Sequence, residues 1–189
     1  LKFDVSGIEE VKRKFFGTLY NTYSFFALYA NIDKFNYSEN EIKISDRPEI
    51  DRWVLSELNT LIKNVDRFYS DYEPTKVARS ISEFTTEILS NWYVRLCRRR
   101  FWKGEYELDK ISAYQTLHTC LITISKLAAP VAPFFMDKLF LDLTKNISQI
   151  NDESVHLTTF PISDESLIDS DLERKMKYAQ KISSLTLSL

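Results

Sequence analysis

The side chains most able to do chemistry lie between Asn91 and Trp102, Asn-Trp-Tyr-Val-Arg-Leu-Cys-Arg-Arg-Arg-Phe-Trp, where four arginines, two tryptophans and two other aromatics share about three helical turns. Guanidinium and aromatic planes stack on splayed-out bases, amides bond base edges, and arginines hold phosphates. A second reading stands beside this one. Cations in the last turns of a helix are favoured by the macrodipole, and tryptophans pack in cores.

Spacing on a helix sharpens the question. At about 100° per residue, Val77, Ile81, Phe84, Ile88 and Trp92 form one apolar stripe, and Arg95 and Arg99 fall where its next members belong. A core-facing stripe that ends in cations predicts a cleft, a paired carboxylate or an anionic ligand. Asn91, Arg95, Arg98 and Trp102 share the adjoining face.

The elements that carry these residues read as helices. With 189 residues, 44% apolar and 28% charged, the chain supports one substantial core. Three glycines, five prolines and long 3.6-period patterns predict an all-α helix bundle. Ser6-Gly7-Ile8-Glu9 has capping-box form, predicting a first helix over about Gly7 to Asn31. Lys12, Arg13 and Lys14 then sit in its early turns, where the dipole disfavours cations and an external anion would explain them. Asp46-Arg47-Pro48-Glu49 offers an N-cap, an early proline and a capping glutamate for a second helix to about Tyr72. A third helix, about Thr75 to Trp102, stops at Lys103-Gly104; a fourth covers about Asp109 to Leu127; a fifth covers about Phe134 to Thr144. Val155 to Pro161 alternates and predicts an extended strap across the bundle, before a last helix over about Asp171 to Leu187. The expected division is a bundle over 1–163 and a C-terminal helix over 164–189.

Formal net charge is −2, yet Asn91 to Lys103 holds five cations and no acid, while Gln149 to Leu172 holds six acids and no Lys or Arg. A local basic face is what phosphate contact needs. Cys97 and Cys120 have no nearby metal-ligand partners, and His118, a lone histidine among apolar neighbours, reads as a core or surface residue. There is no signal-peptide pattern and no membrane span, which fits a cytoplasmic protein. Glycine-rich phosphate loops and nucleophile elbows are absent from the sequence.

Asn91-Trp92-Tyr93-Val94-Arg95 with its arginine run and Phe101-Trp102 resembles the signature helix in the anticodon-binding domain of isoleucyl-tRNA synthetases, of the type shared by eukaryotes and some bacteria. Asp51 to Asn59, Leu127 to Phe134 and Glu153 to Leu157 occur in the order that family gives, and the resemblance covers nearly the whole chain, weakening only after about Asp164. Valyl relatives carry an acidic version of the Asn91 to Arg95 stretch. The resemblance implies a class I helix bundle that binds the tRNA(Ile) anticodon stem-loop through Asn91, Trp92, Arg95, Arg98, Arg99, Arg100 and Trp102. Its first helix then adds Lys14, Phe16, Tyr20 and Asn21, and His156 belongs to the family pattern with a packing or hydrogen-bonding role. The family's ATP-binding His-Ile-Gly-His and Lys-Met-Ser-Lys-Ser signatures do not occur here. The expectation is therefore a piece of a larger enzyme, inactive alone and without its own cofactor. ATP and Mg would belong to a catalytic domain of the same polypeptide, with zinc, if any, also elsewhere. The implied partners are tRNA(Ile) and that catalytic domain, with no DNA and no membrane. Two other readings stay open: a protein-interaction module using the same aromatic and arginine cluster, or the equivalent domain of a valyl- or leucyl-tRNA synthetase. A purely structural bundle would instead pair Arg95 and Arg99 with acids such as Glu87 or Asp109.

Overall fold

The computed structural model describes residues 4–103, 105–145, 147 and 152–187. Among them there is no strand, and the all-α reading holds. Helix α1 (Val5–Val11) passes through a π-helical stretch, Lys12–Phe16, into α2 (Gly17–Asp33). Helix α3 (Glu49–Ser70) is followed by α4 (Pro74–Glu83), an eleven-residue π-helical stretch (Phe84–Val94) and α5 (Arg95–Trp102). Then come α6 (Leu108–Ala128), α7 (Pro133–Thr144) and α8 (Ser170–Leu187). The Gly104 stop lies outside the described residues.

Helix α6 is the axis of the bundle. Ala113, Tyr114, Leu117, Cys120, Leu121, Ile124 and Leu127 are all fully buried, the all-round apolar burial of a central helix. Helices α2, α3, α4, α5 and α7 pack around it. Helix α3 buries Trp53, Leu55, Leu58, Leu61, Ile62 and Val65. Each such side chain contributes about 1.5–3 kcal/mol on leaving water. Helices α2 and α5 are clamped by aromatic edges: Phe25 meets Phe101 at 5.1 Å, and Phe101 meets Tyr114 of α6 at 5.0 Å.

Local signals at helix starts were overridden in two places. Asp4, not Ser6, caps α1, accepting the Ser6 N–H at 3.2 Å, so the cations at 12–14 stand beyond the first turns, within the π stretch. Helix α3 begins at Glu49 with Pro48 at the cap position, while Asp46 closes a separate 3₁₀ turn, Ile44–Asp46. Arg47 between them is buried, donating to Ile42 O and Thr116 Oγ1, both at 3.0 Å. That side chain fixes the loop to α6 and sets where α3 can start.

The strap exists, but it is not extended from its start, because Val155–Leu157 forms a 3₁₀ turn held by Ser154 and Asp137. Onward it crosses α3 backwards. Phe160 meets the Tyr69 ring, Asn59 Oδ1 accepts the Asp164 N–H at 2.9 Å, and Ser56 Oγ accepts the Asp169 N–H at 2.7 Å. Ser56 and Asn59 of the Asp51 to Asn59 motif are thus ties for the C-terminal segment. His156 has an exposed ring and only its backbone N–H is bonded, to Ser154 Oγ, so its expected packing role is not what the fold shows.

Candidate functional site

The sequence stripe from Val77 to Arg99 assumes one α-helical period, and the π stretch breaks it. The stretch buries Phe84, Thr85, Leu89, Tyr93 and Val94, among which Phe84, Leu89 and Val94 stand five apart as i→i+5 winding gives, and beyond it Cys97 and Phe101 are buried. Ile88 and Trp92 are only half-buried, and Arg95 and Arg99 are exposed. The π winding has rotated the core face away from the arginines. The predicted core-facing cations are therefore a correction: Arg95, Arg98, Arg99 and Trp102, spaced i, i+3, i+4 and i+7, form one outward stripe on α5.

Arg100 points the other way and is committed within the fold. Its guanidinium grips the fully buried Asp51 of α3 with two bonds, at 2.6 and 2.8 Å, and reaches Asp109 of α6 at 3.0 Å. Asp51 also accepts from Tyr93 at 2.9 Å and Ser112 at 2.6 Å. Burial works against the Arg100 charge, yet its hydrogen bonds to Asp51 and the field of that carboxylate outweigh burial and raise the guanidinium pKa above its ordinary value. The alternative pairing of Arg95 and Arg99 with Glu87 or Asp109 is not met: Asp109 pairs with Arg100, and Glu87 accepts from the Asn91 amide at 3.1 Å. Arg100 ties α5 to α3 and α6, and its predicted part in direct binding finds no free donor here, since its N–H groups bond Asp51, Asp109 and Cys97.

Among the described residues the guanidinium groups of Arg95, Arg98 and Arg99 have neither a hydrogen bond nor an ion pair. Three unpaired guanidinium groups within five residues repel one another mildly in water and attract phosphate. Trp102 is 58% exposed, with the Lys103 ammonium 6.0 Å from its ring centre. Lys103, a member of the acid-free run without an assigned role, thereby joins the site; the signal that finds it is simply its place beside an exposed tryptophan. Asn91 keeps its carbonyl oxygen free, whereas Trp92 packs half-buried against the core and shapes the floor of this face.

The first-helix candidates divide. Phe15 shares a cavity with Ala78, Ile81 and Ser82 of α4, and Phe25 meets Phe101 of α5, so the two long helices run alongside in the same direction. Tyr20, 58% exposed, and the exposed Asn21 therefore lie along the helix flanking the π stretch. Lys14 stands beside the α4 end, roughly 20 Å along the helix from Arg98, and is paired with Glu10 at 2.5 Å. Phe16 is half-buried against the Phe15 and Phe135 rings. The structure does not bring Lys14 and Phe16 to the arginine stripe.

Other chemistry is quiet. His118 is buried against Leu143 O at 3.1 Å, and burial pushes its pKa down to about 4, leaving a neutral core imidazole. Burial pushes the Cys97 thiol up to about 11 and the Cys120 thiol higher still, so neither is a nucleophile at neutral pH. Among the described residues no cluster of three His, Cys, Asp or Glu could hold a metal, and no helix is long and apolar enough to cross a membrane.

Comparison with known proteins gives the family. Residues 51–189 match the family described as the anticodon-binding domain of tRNA ligase. Over all 189 residues the chain is 60% identical to an isoleucine--tRNA ligase of Bacteroides thetaiotaomicron, covering 16% of that protein. It is 61% identical over its full length to the enzyme of Porphyromonas gingivalis, again 16% of the relative. Against that of Dehalococcoides mccartyi it is 48% identical over 184 residues, 18% of the relative. The chain thus spans about a sixth of the length of these relatives.

Proposed function

The chain belongs to the anticodon-binding domain family of tRNA ligases, and on that premise we propose that the outward stripe of α5 grips the anticodon stem-loop of tRNA(Ile) for a cytoplasmic isoleucine--tRNA ligase whose catalytic domain lies in the same polypeptide. The observation that carries this reading is the set of unpaired guanidinium groups on Arg95, Arg98 and Arg99 beside the exposed indole of Trp102. Loop bases turned outward would stack on Trp102 and on guanidinium planes, Asn91 would bond a base edge through its free oxygen, and the remaining arginines and Lys103 would hold phosphates. Tyr20 and Asn21 extend the same surface along α2. The ligation itself, with its ATP and Mg, falls to the catalytic domain, and this chain's contribution is to place the tRNA. Competition binding with stem-loops that carry or lack the isoleucine anticodon tests it: the correct loop binds at least tenfold tighter, and equal binding refutes base reading by this face.

A further inference from the structure

Helix α1 has no buried residue, although Val5, Ile8 and Val11 recur every three positions and lead to Phe15 four further on. Val5, Ile8 and Val11 are 60, 51 and 52% exposed. An amphipathic helix whose apolar side meets only water is not stabilised by its own domain. The same side opens into a cavity of about 440 Å³ walled by Val11, Phe15, Phe16, Ile81 and Val131. Phe134, beside the Phe135 ring that meets Phe16, is 90% exposed at the start of α7. Around this apolar ground stand Lys12, Arg13 and Arg79, exposed and, among the described residues, without a side-chain hydrogen bond or ion pair, although Arg13 lies within the field of Glu10.

We propose that the apolar side of α1, with the adjoining cavity and Phe134, is where the catalytic part of the ligase polypeptide seats on this domain. It would place one large apolar side chain in the cavity and acidic groups opposite Lys12, Arg13 and Arg79. Three observations select this occupant. The relatives that match the whole chain are about six times its length, so an extensive partner surface belongs to the same molecule. The family match starts only at residue 51, leaving α1 and α2 outside the part that the anticodon-binding family shares. The surface also lies at the α4 end of the long helices, remote from the α5 stripe, so both faces can be occupied together. A contiguous patch with a central pocket and a charged rim is the anatomy of an interface anchored by a few buried side chains.

This inference rests on the ligase reading, and the experiment separates the two. In the intact ligase, Val11→Asp and Phe134→Asp are compared with Leu28→Asp, a position on α2 about as exposed as Val11, for aminoacylation and for stem-loop affinity. Both surface variants are expected to lose at least tenfold in kcat/KM for tRNA(Ile) while binding the stem-loop within twofold of wild type, and Leu28→Asp to change neither. Far-UV spectra and melting temperatures equal to wild type exclude misfolding, and Ile8→Asp serves as the replacement should Phe134→Asp fail to fold. Unchanged aminoacylation in Val11→Asp and Phe134→Asp overturns the docking surface. Absent stem-loop binding in wild type instead overturns the binding role of α5, and leaves the aminoacylation comparison intact as a test of docking.

Discussion

Replacing Arg100 by alanine, with Arg95, Arg98 and Arg99 untouched, separates the arginine that builds the site from those that use it. Arg100→Ala removes two bonds from Asp51, at 2.6 and 2.8 Å, and leaves that fully buried carboxylate with only Tyr93 and Ser112 as donors. A buried charge stripped of its counter-ion costs about 3–5 kcal/mol, a large fraction of the stability of any domain this size. Alanine at Arg95, Arg98 or Arg99 removes no partner, and exposed substitutions of this kind stay within about 0.5 kcal/mol. Urea unfolding followed by tryptophan fluorescence reads the contrast directly. Arg100→Ala is expected to lose at least 3 kcal/mol, roughly, while the other three lose almost nothing. A well-folded Arg100→Ala within about 1 kcal/mol of wild type would refute the assignment, because the Asp51 charge would then be compensated by some other means.

Three further outcomes follow from the same geometry. Trp102→Ala weakens stem-loop binding by about 1–3 kcal/mol, the worth of stacking one base, and leaves the urea midpoint unchanged because the ring is 58% exposed. Because burial lowers the His118 pKa from 6.5 to about 4, the folded state binds fewer protons; the stability is whole above pH 6.5 and falls by about 3 kcal/mol as pH drops toward 4, a fall that His118→Phe should lack in pH-dependent urea titration. Burial, with the nearby Glu173 charge, raises the Glu57 carboxyl to about 7, so its contribution is present below its unfolded pKa and lost as pH rises through 7. Glu57→Gln should accordingly be more stable than wild type at pH 8.5, with the difference vanishing near pH 4.5 in paired thermal melts.

Most of the helices were legible because their apolar periods are long: Leu117, Leu121, Ile124 and Leu127 face inward as their spacing says. The face of the third helix was not. A wheel drawn at one period carries Val77, Ile81 and Phe84 correctly into the core, then fails at Ile88, because i→i+5 winding over Phe84–Val94 leaves no mark in residue type that a periodicity count can read. The same rotation decides which arginines are free. Four arginines within six positions look alike in sequence, and only the three-dimensional position of Asp51, 49 positions away from Arg100, tells one from the other three. The 3₁₀ turn at Asp46 is a smaller case of long-range packing, through Arg47, overriding a local preference, whereas at the first helix one local cap, Asp4, simply displaces another, Ser6.

The most direct test of the proposed binding face is the salt dependence of tRNA(Ile) stem-loop affinity, for wild type and for the variant with alanine at Arg95, Arg98 and Arg99. Each phosphate neutralised on a single strand contributes about −0.7 to the slope of log K against log salt. Removing three such contacts should flatten that slope by about 2 and weaken binding at low salt, with the urea midpoint unmoved. A slope and an affinity identical to wild type in the still-folded variant would contradict the account, and would move RNA binding away from α5.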